Sequence, residues 1–264
     1  MNNYNLNDGW NSLAAEMLYA CMHDGAPEKE LSFYEKRIRE NEGPALDQAC
    51  GTGRHLFPLL KRGLEVHGAD SSEDAIKFAH MKADELGVQP KLFHQRMEEM
   101  DLPYKYGTIY ITNGTFQVFY NRETAVNVLL RIRDHLFPGG EILIEIGSPE
   151  SLIDAAQTGN ADNPTTWIPE TRRYKEGEIS AKLWIESIDQ FEQIVIGKRV
   201  YDVFINGKNI RSEMHTLTMT YFYKNEFVLL LEKAGFSDIK FYSDYTDKPA
   251  DRESECIIYS ARNR

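Results

Sequence analysis

The chain of 264 residues lacks most of what marks a secreted, membrane-spanning or nucleic-acid-coating protein. It has only three cysteines, Cys21, Cys50 and Cys256. An odd count without metal-ligand spacing argues against a disulfide framework and a cysteine metal site, and reads as reduced thiols. Basic residues are in deficit: 30 Lys+Arg stand against 41 Asp+Glu, a formal charge of −11. Non-specific nucleic-acid binding needs a basic footprint to displace counterions, and adhesion to an anionic membrane needs the same sign. Neither partner is expected. No apolar run approaches the roughly 20 residues that span a bilayer. The first eight residues carry no basic stretch followed by an apolar one, so no signal peptide is expected and a cytoplasmic protein is. There is no internal repeat and no Pro/Gly/Ser linker. His23, His67, His80 and His135 are scattered without ligand spacing, so no metal is expected.

What is present is ordinary globular composition, 42% hydrophobic and 27% charged, in a chain long enough to bury a core unaided. Residues 8–41 look helical, with Trp10, Leu13, Ala14, Met17, Leu18 and Cys21 at helical spacing. Asp24-Gly25-Ala26-Pro27 breaks the run, and a second helix covers about 28–40. An alternating pattern follows. Strands are predicted at 45–49, 65–69, 91–95, 108–112 and 141–146, and helices at 54–61, from Ser72 as cap, and at 124–136. Pro138-Gly139-Gly140 is read as a turn. Strands alternating with helices predict a parallel sheet covered on both faces.

After Gly147 the pattern changes to strands at 181–188, 193–204 and 210–223. Asn206-Gly207 between the last two is a type I′ hairpin signal, because both residues accept positive φ. A helix at 225–234, capped by Gly235, and strands at 236–242 and 255–261 return to the α/β pattern. The expected architecture is Rossmann-like, a doubly wound, mostly parallel seven-stranded sheet with an antiparallel β insertion after the fifth strand. Its parts are an N-terminal helical lid (1–42), a nucleotide-type domain (43–147 and 224–264) and a covering insertion (148–223).

The informative stretch is Ala45-Leu46-Asp47-Gln48-Ala49-Cys50-Gly51-Thr52-Gly53-Arg54-His55. An apolar strand runs into a Gly-x-Gly turn and then a helix, which lets backbone approach a ligand at the helix N-terminus. Asp70 closes the next strand, where a carboxylate can accept hydrogen bonds from ribose hydroxyls. The dinucleotide fingerprint needs a third glycine, and Leu56 stands at that position. A pyrophosphate is therefore disfavoured, and Asp47 suits a cofactor ending in an ammonium group better.

These residues resemble the first motif of the class I S-adenosylmethionine-dependent methyltransferases. Gly68-Ala69-Asp70-Ser71-Ser72 is similar to the second, and Leu136-Phe137-Pro138-Gly139-Gly140 to another recurring feature. The insertion resembles that of small-molecule N-methyltransferases of the glycine and amino-sugar type. The resemblance implies S-adenosylmethionine as cofactor and S-adenosylhomocysteine as product. It implies that Ala49, Cys50 and Gly51, with Thr52 and Gly53, cradle the methionine part, while Asp47 orients the loop or reaches the amino group. It places Asp70 on the ribose and Ser71, Met97 and Glu98 beside the adenine. Asn113, Gly114 and Thr115 would offer groups to the methionine end, and Arg54 either pairs with a carboxylate or caps the loop. Tyr19 and Tyr34 are candidates for closing over that end.

Two departures matter. Relatives often carry Asp where this chain has Arg96, which has no acceptor, so Gln95, Glu98 or backbone must meet the adenine amino group. Relatives often carry His where this chain has Val118, so the usual base is missing. On the acceptor side Trp167, Arg172, Tyr201 and Tyr221 are pocket candidates, each of which could equally serve packing or solvation. Arg173 and Tyr223 share that status. His215 is a weak candidate base and could equally be a sheet histidine. The expected activity is methyl transfer to a small-molecule acceptor, amine slightly ahead of hydroxyl. The alternative is a catalytically inactive cofactor-binding regulatory or interaction protein. A homodimer is compatible with either.

Overall fold

The computed structural model describes residues 5–7, 10–21, 25–160, 162 and 171–264, with the backbone alone for 5–7. The chain begins with β1 (Asn5–Asn7), α1 (Leu13–Cys21) and α2 (Glu28–Glu40). It then alternates β2 (Ala45–Gln48), α3 (Leu56–Lys61), β3 (Val66–Asp70), α4 (Glu73–Leu86), β4 (Leu92–His94), β5 (Tyr106–Ile111), α5 (Arg122–Asp134) and β6 (Leu136–Gly147). After β6 come α6 (Pro149–Thr158) and four strands, β7 (Thr171–Tyr174), β8 (Gly177–Asp189), β9 (Ile194–Ile205) and β10 (Lys208–Thr220). The chain closes with α7 (Lys224–Lys233), β11 (Phe236–Ser243) and β12 (Cys256–Asn263).

Seven strands form one sheet in the order β11-β12-β6-β5-β2-β3-β4. β12 runs antiparallel to β6 and β11, and the pairs from β6 to β4 are parallel. β2 lies between β3 and β5, so the strand order reverses beside it and opens a crevice at the carboxyl ends of these strands. Alternation decides the two cores. Leu46, Ile109, Ile111 and Ile144 face α5 and α7, among Val128, Leu129, Phe227 and Leu231. Ala45, Tyr110 and Leu143 face the other side, among Tyr34, Ile38, Leu59 and Ala79.

β7 to β10 form a second, antiparallel sheet, which β1 joins in parallel with β10. Its hairpin turn has Asn206 at φ 51° and Gly207 at φ 72°, as the Asn-Gly signal requires. α1 packs on this sheet through Leu13, Ala14, Met17 and Ala20, against Tyr174, Ile179, Tyr201 and Val203.

Three local expectations are corrected. α1 starts only at Leu13, after Ser12 at φ 58°. α5 stops at Asp134, and Leu136 opens β6 instead of closing the helix. Pro138-Gly139-Gly140 lies inside β6, where the register with β5 shifts between Tyr106 and Thr108 and Gly139 takes φ 77°. α6 and β7 were not expected. α6 has a local signature in Ser148, whose hydroxyl accepts from Ser151 N, followed by Pro149 and Glu150.

Candidate functional site

The loop leaving β2 is built to turn backbone toward the crevice. Ala49, Gly51 and Gly53 take φ of 66°, 55° and 96°, and Ala49 does so against its own Cβ. The Ala49 and Cys50 N–H groups both donate to Ala69 O, at 2.8 and 3.0 Å. Gly51 N donates to Asp70 Oδ2 and Ser72 N to Asp70 Oδ1, each at 2.8 Å. Asp70 thus ties the loop to the N-terminus of α4 and keeps acceptor capacity on both oxygens. Burial raises its carboxyl pKa, and these N–H groups oppose that. Gly68 makes room beneath: a Cβ there would stand 2.8 Å from Cys50 Sγ.

Asp47 is fully buried one turn earlier. Burial pushes its carboxyl up to about 8, against the pull of the Tyr110 phenol and the Leu56 N–H, with the Asp70 charge adding to the rise. Asp47 Oδ2 and Gln48 Oε1 are buried without a hydrogen-bond partner among the described residues. Such atoms are costly unless a ligand completes them.

Across the crevice the end of β5 bends through Asn113 (φ 55°) and Gly114 (φ 62°). Asn113 N donates to Glu145 Oε2 at 2.8 Å, and burial raises the Glu145 carboxyl. Gln117 accepts from Gly147 N and donates to Thr220 O, both at 3.0 Å, pinning this rim to the end of β10. Arg54 bridges the rims, donating to Asn113 Oδ1 and Glu30 Oε1 at 3.3 Å. Glu30 also meets His55 Nε2 at 2.8 Å. Burial alone would raise Glu30, but His55 and Arg54 outweigh it and hold it low.

The second sheet and the N-terminal segment cover the crevice. Ser72 Oγ donates to Trp10 O at 2.9 Å, and Ser12 N donates to Asp74 Oδ2 at 2.8 Å. Glu213 on β10 accepts from Ser12 Oγ at 2.8 Å and Leu13 N at 3.1 Å, capping α1 from the opposite sheet. Leu18 of α1 lies 3.7 Å from where a Gly51 Cβ would be. The result is a cleft of about 920 Å³ between the two sheets, within the size range of cofactor sites.

The cleft is lined by Asp47, Ala49, Cys50, Gly51, Thr52, Arg54, Asp70, Ser71, Met97, Glu98, Asn113, Gly114 and Thr115, and by Arg172 and Tyr201. Other anticipated residues lie elsewhere. Gly53 faces Phe57, whose ring a Cβ would strike at 2.3 Å. Gln95 Oε1 accepts from Asp101 N at 3.0 Å. Tyr19 turns onto α4, stacking on Phe78 and donating to Glu85 Oε1 at 2.6 Å. Tyr34 is buried in the core, stacked on Tyr110. Tyr221 packs with Leu152, Ile185 and Val195. His215 is buried 3.3 Å from Glu213 Oε2, under Tyr201. Arg173 and Tyr223 are exposed. Trp167 lies outside the described residues. Arg96, the departure from the expected Asp, lines the cleft and pairs with Glu98 at 2.6 Å. Trp10, Gln48, Gln117, Glu145 and Arg199 also line it and were not singled out. Gln48 could have been found, since a polar residue inside an apolar strand needs a reason; the others depend on chain crossings.

The donor set fits S-adenosylmethionine. A carboxylate closes β3 where ribose hydroxyls would lie, and a buried acid with one oxygen left without a partner among the described residues suits an ammonium group. Comparison with known proteins agrees. Residues 45–140 match the family model described as a methyltransferase domain. A putative methyltransferase YqeM of Bacillus subtilis is 24% identical over 93% of this chain and 94% of its own length. A tRNA U34 carboxymethyltransferase of Shewanella amazonensis is 28% identical over 54% of this chain and 42% of its own. Among solved structures, an S-adenosylmethionine-dependent methyltransferase from Clostridium acetobutylicum aligns at TM-score 0.72 and 17% identity, covering 92% of this chain and 94% of that one. The sugar N-methyltransferase KedS8 from Streptoalloteichus aligns at TM-score 0.72 and 16% identity, covering 94% and 92%. Residues 45–140 thus carry a methyltransferase domain, set in a fold shared with S-adenosylmethionine-dependent methyltransferases and beside a cleft whose groups suit that cofactor.

Proposed function

We propose that the chain methylates a small molecule, a neutral amine in preference to a hydroxyl, and does so in the cytoplasm. The observation that carries the reading is the shape of the cleft: cofactor-type groups line one wall and the mostly apolar face of a second sheet lines the other. When bound, S-adenosylmethionine supplies a methyl group on a cationic sulfur, which the acceptor's lone pair displaces as a neutral thioether. The chain's own residues then have to bind, align and exclude water, and alignment alone can be worth on the order of 7–11 kcal/mol.

In this reading Asp70 holds the ribose and Asp47 the ammonium group. The Ala49–Thr52 backbone and Asn113 hold the methionine end, and Met97 with Glu98 borders the adenine. The N-terminal helices act as a lid, tied down by Ser72 and Glu213. An oxygen acceptor would need a base to take its proton. Val118 offers none, and Asp47 and Glu145 are held toward their protonated forms by burial. An amine needs only to arrive uncharged, and its surplus proton leaves to solvent as the product dissociates. This is what favours nitrogen, as does the sugar N-methyltransferase among the structural relatives.

The test is transfer of labelled methyl from S-adenosylmethionine to parallel sets of amines, hydroxyl compounds and unmodified tRNA. Amine methylation is the expected result. Transfer to tRNA alone would overturn the small-molecule reading, which the net charge of −11 supports. Cofactor binding with no transfer to any set would favour the inactive-binder alternative.

A further inference from the structure

The second sheet lines the cleft largely with apolar side chains, and Arg172, Lys182 and Arg199 are the charged residues it adds there. β8, β9 and β10 present Ala181, Leu183, Leu217 and Met219 to the cleft. Arg199 stands in that same face, paired across the strands with Leu183 and His215, and it lines the cleft with Leu183. Its guanidinium lies 3.9 Å over the Trp10 ring and meets the Tyr201 hydroxyl. Among the described residues no carboxylate pairs with it. Glu213, the acid of the same face, is committed to Ser12, Leu13, Arg211 and His215.

A guanidinium stays charged in any protein setting, and taking it from water is costly without a partner. Stacking on one indole and meeting one neutral phenol offset only part of that cost. A structural arginine would be paired, as Arg211 is with Glu213 and Glu16. One placed in an apolar wall of an open cleft is instead complementary to an anion arriving from solution. The planar fork of a guanidinium matches the two oxygens of a carboxylate.

We propose that Arg199 binds a carboxylate on the methyl acceptor, so that the substrate class is an amine that also carries a carboxylate. This rests on the methyltransferase reading with the acceptor held against the second sheet. Arg199 on β9 would anchor the carboxylate at one end of the molecule while the amine points to the carboxyl edge of the seven-stranded sheet.

The test uses the whole chain saturated with S-adenosylhomocysteine, titrated with ω-amino carboxylates of increasing length, their amides, and aminoethyl phosphate. Wild type, Arg199→Met and Arg199→Lys are compared. Carboxylates should bind about tenfold or more tighter than amides in wild type. The preference should vanish in Arg199→Met and survive in part in Arg199→Lys, with S-adenosylhomocysteine affinity unchanged in all three. No carboxylate preference in wild type, or a preference that persists in Arg199→Met, overturns the proposal. Stronger binding of the phosphate overturns the carboxylate assignment. Failure of S-adenosylhomocysteine to bind wild type would instead overturn the cofactor reading beneath it.

Discussion

Two carboxylates beside the Gly-x-Gly loop carry the cofactor account, and their surroundings make them differ. Asp70 accepts two backbone N–H groups and keeps lone pairs for hydroxyls. Replacing it with Ala should weaken S-adenosylmethionine binding on the order of 100-fold, since hydrogen bonds to a charged group contribute about 1.5–3 kcal/mol each. Unchanged affinity by calorimetry would refute the ribose assignment. Asp47 is raised to about 8 by burial, and Tyr110, Asp70, the Leu56 N–H and Arg54 are the polar groups acting on it. It is therefore protonated at pH 7, and a cofactor ammonium beside it should drive the proton off. Calorimetry in buffers of different ionisation enthalpy should detect proton release near pH 7. The release should fade above about pH 9 and disappear in Asp47→Asn. The linkage to folding has the opposite sense from an ordinary salt-bridged acid. The folded state keeps a proton that the unfolded chain loses near pH 4, so Asp47 costs stability as pH rises from about 4 to 8. Urea titrations should show Asp47→Asn flattening that decline.

At the scale of elements, α1 is held by groups that lie about 200 residues away. Glu213 supplies the cap that the sequence around Ser12 does not provide for itself. Glu213→Ala should cost about 1–3 kcal/mol of stability, because Leu13 N and Arg211 lose a charged acceptor. It should also weaken cofactor binding through the Leu18 contact with the loop. Loss of stability with full affinity would mean that α1 does not serve the site. The same element shows where sequence reading stops. The βα units, the Ser72 cap and the Asn206-Gly207 hairpin were legible because period, caps and turn residues act within a few positions. The Asp70 position was legible because it ends a strand at a fixed place in the fold. Tyr19 was misplaced because a helix has two sides, and only the packing of α4 decides which one Tyr19 takes. Tyr221 was misplaced because β10 ends at Thr220, so strand alternation no longer orients it. Arg199 is an unremarkable arginine in sequence; only the strand pairing, which sets it beside Leu183 and His215, shows which face it shares.

In the whole molecule, two sheets meet over one cleft, and among the described residues no helix is long and apolar enough to cross a membrane. In the proposed reading the seven-stranded sheet holds the cofactor and the second sheet supplies the acceptor wall. Ligands that bind only the folded form stabilise it by mass action. S-adenosylmethionine should therefore raise the melting temperature, and an acceptor should raise it further only when the cofactor site is filled. The most direct test is calorimetric titration of the whole chain with S-adenosylmethionine and S-adenosylhomocysteine, with NAD as the control. The account predicts that both sulfur cofactors bind at one site per chain and NAD does not. Binding of neither, or of NAD in their place, would contradict it.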